Sequence, residues 1–175
     1  EIGSGLVGSE MCIRDRNEDI HLGELSMGQK KKVFMCFALA TNTSLLVMDE
    51  PSNGLDIPSK SQFRKVIASG MTDEKAVIIS THQVRDIDSL LDHVVIIDGT
   101  RVLLNESVKT ICEKLYFVEQ GMNESTDTAL YVQPSVQGNS VIFPNTYNEE
   151  TNLNLEVLFN AMLTEREKMQ FLFNK

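Results

Sequence analysis

Asp49 and Glu50 stand side by side at the end of one apolar run, Leu45 to Met48, and His82 follows the end of another, Ala76 to Ser80. Hydrolysis of a phosphoanhydride needs a magnesium ion, a positioned water and charge stabilisation around the transferred phosphoryl group. Magnesium prefers oxygen ligands and keeps several waters, so one carboxylate near the phosphates suffices, and Asp49 suits that metal-ligand role. A neighbouring carboxylate facing the terminal phosphate can take a proton from the attacking water, and Glu50 suits that catalytic role. His82 can donate a hydrogen bond to the same phosphate and to Glu50, keeping base and water in register. Each feature has a plainer reading. An isolated Asp-Glu-Pro is more often a solvated strand end, and a lone histidine after a strand is usually incidental.

Their company shifts that balance. Ser26-Met27-Gly28-Gln29 opens a predicted helix. A helix N-terminus presents unpaired backbone N–H groups and a positive dipole end, which suit phosphate. Ser26 can donate its hydroxyl, and Gly28 lets a ligand approach the backbone. Lys30, Lys31 and Lys32 follow in the first turns, where positive charge opposes the helix dipole unless an anion lies nearby. The plainer alternative is a serine cap beside a solvated basic patch. Asp56 closes the loop after the acidic pair. It reads equally as a contact to a partner subunit or water network and as a helix-capping aspartate.

The elements that must position these groups follow from period and punctuation. Ser26 to Ala40 predicts a helix with an apolar stripe of Val33, Phe34, Phe37 and Ala40. Leu45 to Met48, apolar on both faces, predicts a central strand covered on both sides. A helix should start near Pro58 and end at Gly70. Ala76 to Ser80 predicts a second buried strand, and Val84, Ile87 and Leu91 a third amphipathic helix. Val94 to Asp98 and Arg101 to Asn105 predict a hairpin about Gly99-Thr100. Strand, helix, strand, helix, strand is the pattern of a parallel α/β sheet, whose ligands sit outside the carboxyl ends of the strands. Asp49, Glu50 and His82 all fall there. Beyond Glu106, a helix over Val108 to Phe117, a hairpin about Gln137-Gly138-Asn139, an amphipathic segment over Asn152 to Leu163 and a capping box at Thr164 to Glu167 predict an αββα appendage.

With four motifs in order, the chain resembles the C-terminal part of an ATP-binding-cassette (ABC) transporter ATPase. Leu25-Ser26-Met27-Gly28-Gln29 resembles the signature motif, with Met27 where the family usually has glycine. Leu45 to Glu50 resembles Walker B with the catalytic glutamate. Ser52 to Asp56 resembles the D-loop, and His82 in Ser80-Thr81-His82-Gln83 resembles the switch histidine. The resemblance covers residues 17 to 107. It implies a partial P-loop NTPase fold with ATP and Mg2+ as cofactors. Nucleotide contacts fall to Ser26, Gly28, Gln29 and Asp56, catalysis to Glu50 and His82, and the metal to Asp49. It also implies an integral-membrane permease and a second ABC ATPase subunit, paired head to tail, as partners. The expected place is cytoplasmic, peripheral to the inner face of the cell membrane, with export as the direction of transport.

No Walker A lysine, adenine-stacking aromatic or Q-loop precedes Leu25 in this sequence, so the expectation is a truncated chain inactive by itself. The alternative is a non-catalytic binding module that lends its signature face to a complete cassette. Residues 1–16 read as an adapter-like, non-native tail, residues 17–107 as the partial nucleotide-binding domain and residues 108–175 as an accessory region.

The bulk properties bound this reading. The 175 residues carry a formal net charge of -9, which argues against nucleic acid or anionic lipid as partner. Hydrophobic content of 42% and charged content of 23% suit a globular protein. No apolar run is long enough to insert directly into a bilayer. Cys12, Cys36 and Cys112 lack metal-ligand or disulfide-like spacing, which fits a reducing compartment.

Overall fold

The computed structural model describes residues 21–136 and 138–173. The tail expected over residues 1–16, with Cys12, and the turn residue Gln137 lie outside the described residues. The chain forms two compact units, one ending at Leu90 and the other beginning at Leu91.

In the first unit a 3-10 turn at Leu22–Glu24 leads into α1 (Met27–Ala40), β1 (Leu45–Asp49), α2 (Ile57–Gly70) and β2 (Ala76–Ser80). Capping sets both helix starts. Ser26 is extended and caps α1, while Asp56 caps α2 with a proline in its first turn. β1 and β2 pair in parallel, from Leu45 opposite Ala76 to Asp49 opposite Ser80. That register puts the two carboxyl ends side by side.

Met48 is buried, but Leu45, Val47 and Ile78 on the other face are more than half exposed. The expectation of cover on both sides therefore fails among the described residues. The α1 stripe departs in the same way: Phe34 is 61% and Phe37 69% exposed, and Cys36 is the buried residue of that helix. Periodicity says which residues share a face; it does not say that a neighbour covers them. The apolar core of this unit is Cys36, Met48, Leu55, Phe63, Ile67 and Ile87.

The third amphipathic helix is not formed. Residues 84–90 make two 3-10 turns, Val84–Asp86 and Asp88–Leu90. Side chains compete with helical hydrogen bonding here: Asp88 accepts from the Ser89 N–H at 2.7 Å, and Thr81 accepts from the Gln83 N–H at 2.9 Å.

The second unit opens with the predicted hairpin, β3 (His93–Asp98) and β4 (Arg101–Ser107), turning at Gly99 with φ 58°. β3 pairs antiparallel with β4, so the parallel pattern is carried by β1 and β2. Then come α3 (Val108–Lys114), β5 (Leu115–Gln120), β6 (Tyr131–Ser135), β7 (Gly138–Pro144), α4 (Leu155–Thr164) and α5 (Arg166–Phe173). The helix expected through Phe117 stops at Lys114. Leu115 to Gln120 is instead a strand paired with β7, as suits the run Leu-Tyr-Phe-Val. The expected capping box at Thr164 is also absent, because its hydroxyl donates back to the Asn160 carbonyl at 2.9 Å. Ile111, Leu115, Ile142, Leu158, Met162 and Met169 form a fully buried core. Lys114 reaches the far end of α5, donating to the Leu172 carbonyl at 2.7 Å with its ammonium 4.9 Å from the Phe173 ring centre.

Candidate functional site

The site is built where β1 and β2 end. The Glu50 N–H adds one bond to the parallel ladder, donating to the Ser80 carbonyl at 2.8 Å. The chain then breaks from extended geometry, with Glu50 at φ 45°. A non-glycine residue is held in this left-handed region only when its surroundings over-determine it. Here the turn aims the carboxylate at the end of β2. One oxygen accepts from the Thr81 hydroxyl at 3.0 Å. The other accepts from the His82 N–H at 2.9 Å and lies 2.6 Å from His82 Nδ1.

This geometry sets charge and tautomer. Burial pushes the Glu50 carboxyl up, but the hydrogen bonds from the His82 side chain, the His82 N–H and the Thr81 hydroxyl outweigh it and hold the pKa below the ordinary glutamate value. Glu50 is therefore an anion at neutral pH. Facing an anion, Nδ1 of His82 carries the proton, and Nε2 is left to meet a second group. The imidazole is 72% exposed, open to a ligand arriving over the strand tips.

Asp49 faces elsewhere. Its Oδ1 accepts from the Ser80 hydroxyl on the exposed face of the strand pair. No cluster of three or more His, Cys, Asp or Glu residues among the described residues could cage a metal. An exposed carboxylate with its second oxygen outside that bond does fit magnesium, which takes few protein ligands and completes its shell with waters and phosphate oxygens.

The remaining predicted residues lie on the two helix starts. Ser26 and Gln29 form a reciprocal capping box at the head of α1. The Gln29 N–H donates to Ser26 Oγ at 3.3 Å, and Gln29 Oε1 accepts from the Ser26 N–H at 3.0 Å. The Ser26 hydroxyl keeps its proton, and the Gln29 amide its N–H groups, for an anion at this end. Gly28 is approached by the Gly54 carbonyl oxygen, which would lie 3.5 Å from a Cβ at that position. Asp56 is the N-cap of α2, accepting from the Ser59 hydroxyl and from the Ser59 N–H at 3.1 Å. Those two bonds hold its carboxyl below the ordinary aspartate value.

Several contributors escaped the sequence reading. Ser80 and Thr81 supply hydroxyl donors to Asp49 and Glu50; two hydroxyl residues directly before His82 were the available signal. Lys60 and Arg64 of α2 hold the segment after His82. The Lys60 ammonium donates to Gln83 Oε1 at 3.1 Å and lies 2.7 Å from Asp86 Oδ2, a charge contact poorly angled for a hydrogen bond. Arg64 donates to the Asp86 carbonyl at 3.3 Å. No sequence spacing announces those long-range contacts.

Comparison with known proteins places this geometry in context. No protein-family model matches the chain. It is 31% identical over 96 residues, 55% of its length and 37% of the relative's, to an uncharacterized ABC transporter ATP-binding protein of Methanocaldococcus jannaschii. It is 25% identical over 130 residues, 73% of its length and 38% of the relative's, to the Nod factor export ATP-binding protein I of Neorhizobium galegae. A solved chain described as an inward-facing metal-chelate-type ABC transporter shares the fold with a TM-score of 0.52 and 14% identity, over 81% of this chain and 56% of that one. The chain spans about a third of the length of the curated relatives it matches.

Proposed function

We propose that this chain, which is similar over about half its length to ABC transporter ATP-binding proteins, carries the hydrolytic carboxylates and the signature face of an ATPase that drives a membrane permease. The observation that carries this reading is the Glu50–His82 contact of 2.6 Å at the ends of a parallel strand pair. In this reading Glu50 takes a proton from the attacking water. His82, oriented by Glu50 through Nδ1, presents Nε2 to the terminal phosphate. Asp49 holds Mg2+, which when bound supplies charge neutralisation around the phosphates. Ser26, Gly28 and Gln29 form the α1 end that meets the nucleotide of a second ATPase subunit, with Asp56 closing the adjacent loop. Residues 17–107 serve as the nucleotide-binding part and residues 108–175 as an accessory region.

Export is the direction this reading takes. Its support is the Nod factor export relative, whose match runs over 130 residues, beyond the 96 shared with the archaeal relative. The partners are an integral-membrane permease and a second ATPase subunit, and the place is the cytoplasmic face of the membrane. No helix among the described residues is long and apolar enough to cross a membrane.

The test is phosphate release from ATP by the full-length protein and its variants. His82→Ala is expected to lower kcat by roughly 10²-fold or more while ATP affinity changes little. A loss of affinity at an unchanged rate would assign His82 to binding and remove it from the chemistry.

A further inference from the structure

The sequence leaves Lys31 in a basic triplet at the head of α1, yet its ammonium is occupied. It donates to the backbone carbonyl of Glu50 and to that of Asn53, the latter at 2.9 Å. The Glu50 carbonyl also accepts from the Asn53 N–H at 3.3 Å. The same loop approaches α1 at a second point, where the Gly54 carbonyl oxygen would lie 3.5 Å from a Cβ at Gly28. The carbonyl gripped by Lys31 belongs to the residue whose φ is 45°. If Glu50 rotated into ordinary strand geometry, its carbonyl would leave the ammonium and its carboxylate would leave Thr81 and His82.

We propose that Lys31 is a positioning residue which, by holding the Glu50 carbonyl from α1, fixes the left-handed turn that aims the Glu50 carboxylate at His82. The contact is a charge-assisted hydrogen bond, stronger than a neutral one, and it bridges two carbonyls that would otherwise compete for weaker partners. Its importance for hydrolysis rests on the role proposed above for Glu50; the structural coupling does not.

The test is amide hydrogen exchange in the 15N-labelled chain without nucleotide, so it stands apart from any failure of the hydrolytic reading. Two amides report on Glu50 directly: His82, which donates to the carboxylate, and Asn53, which donates to the carbonyl. Lys31→Met is expected to speed exchange at both by about tenfold or more, while ladder amides of β1 and β2 keep their protection. Lys31→Arg, which keeps charge and donors, should restore most of the protection, and Lys30→Met should change neither amide. Unchanged exchange at both amides in Lys31→Met overturns the proposal. So does a loss spread evenly over β1 and β2, or failure of the arginine variant to rescue. If Lys31→Met does not fold, Lys31→Gln is read in its place. It can reach one carbonyl, so partial loss supports the proposal and parental protection overturns it.

Discussion

Under the function proposed above, Glu50→Gln separates water activation from the structural contacts that Glu50 makes. The carboxylate accepts from Thr81 on one oxygen and from the N–H and Nδ1 of His82 on the other. Glutamine is nearly isosteric. Its oxygen can keep both His82 contacts while its amide turns to the Thr81 hydroxyl, which can accept as readily as it donates. The fold and the His82 orientation should therefore survive, and ATP should still bind. What disappears is the proton acceptor. General-base catalysis contributes about 10²–10⁴ in rate, or roughly 3–5 kcal/mol of activation free energy at about 1.4 kcal/mol per tenfold. Phosphate release under single-turnover conditions in the full-length protein, with nucleotide retention measured alongside, reads both halves. Turnover within about threefold of the parent would refute the reasoning, because no base removed from the chemistry costs so little. Loss of ATP retention would instead show that the neutral side chain disturbs the strand tips.

Two further perturbations test other parts of the molecule. Gly138 has φ 154°, and a Cβ there would sit 2.0 Å from the Gln120 carbonyl oxygen. Gly138→Ala should destabilise the second unit by about 2–4 kcal/mol from backbone strain and overpacking together. With an m-value of about 1–3 kcal/mol/M, a urea midpoint lower by roughly 1 M or more is expected; a shift within error would mean β5 and β7 can part without cost. Asp56→Asn tests linkage. The Ser59 hydroxyl and N–H lower the folded pKa of Asp56, so its contribution is complete above the ordinary aspartate range and is lost as pH falls through the lowered value. Asparagine caps a helix about as well. The variant should match the parent at pH 7 and lose less stability on acidification; parallel acid profiles in urea unfolding would contradict that account.

Much of the first unit was legible because its boundaries carry strong local chemistry. Ser26, Asp56 with Pro58, and Gly70 each mark an element end that the structure keeps, as Gly99 does in the second unit. The segment 84–90 misled because its apolar spacing is helical, while Asp86, Asp88 and Ser89 favour side-chain bonds to nearby backbone and α2 fixes Asp86 from outside. Leu115 to Phe117 reads as the end of a helix because nothing local marks Lys114 as the stop; pairing with β7 decides that segment. The strand tips could be foreseen as the meeting place of Glu50 and His82. The hold of Lys31 on the Glu50 carbonyl could not, since it joins groups 19 residues apart through a backbone turn that no residue type announces.

That turn at Glu50 has one more consequence. In a regular strand the side chains of adjacent residues point to opposite faces of the sheet, so the turn decides not whether Asp49 and Glu50 part but where Glu50 ends up. Asp49 stays on its strand face with the Ser80 hydroxyl, while the left-handed residue swings Glu50 across to the imidazole beyond the neighbouring strand. Like-charged neighbours can then be altered one at a time, and a defect in one can be diagnosed without the other confusing the signal.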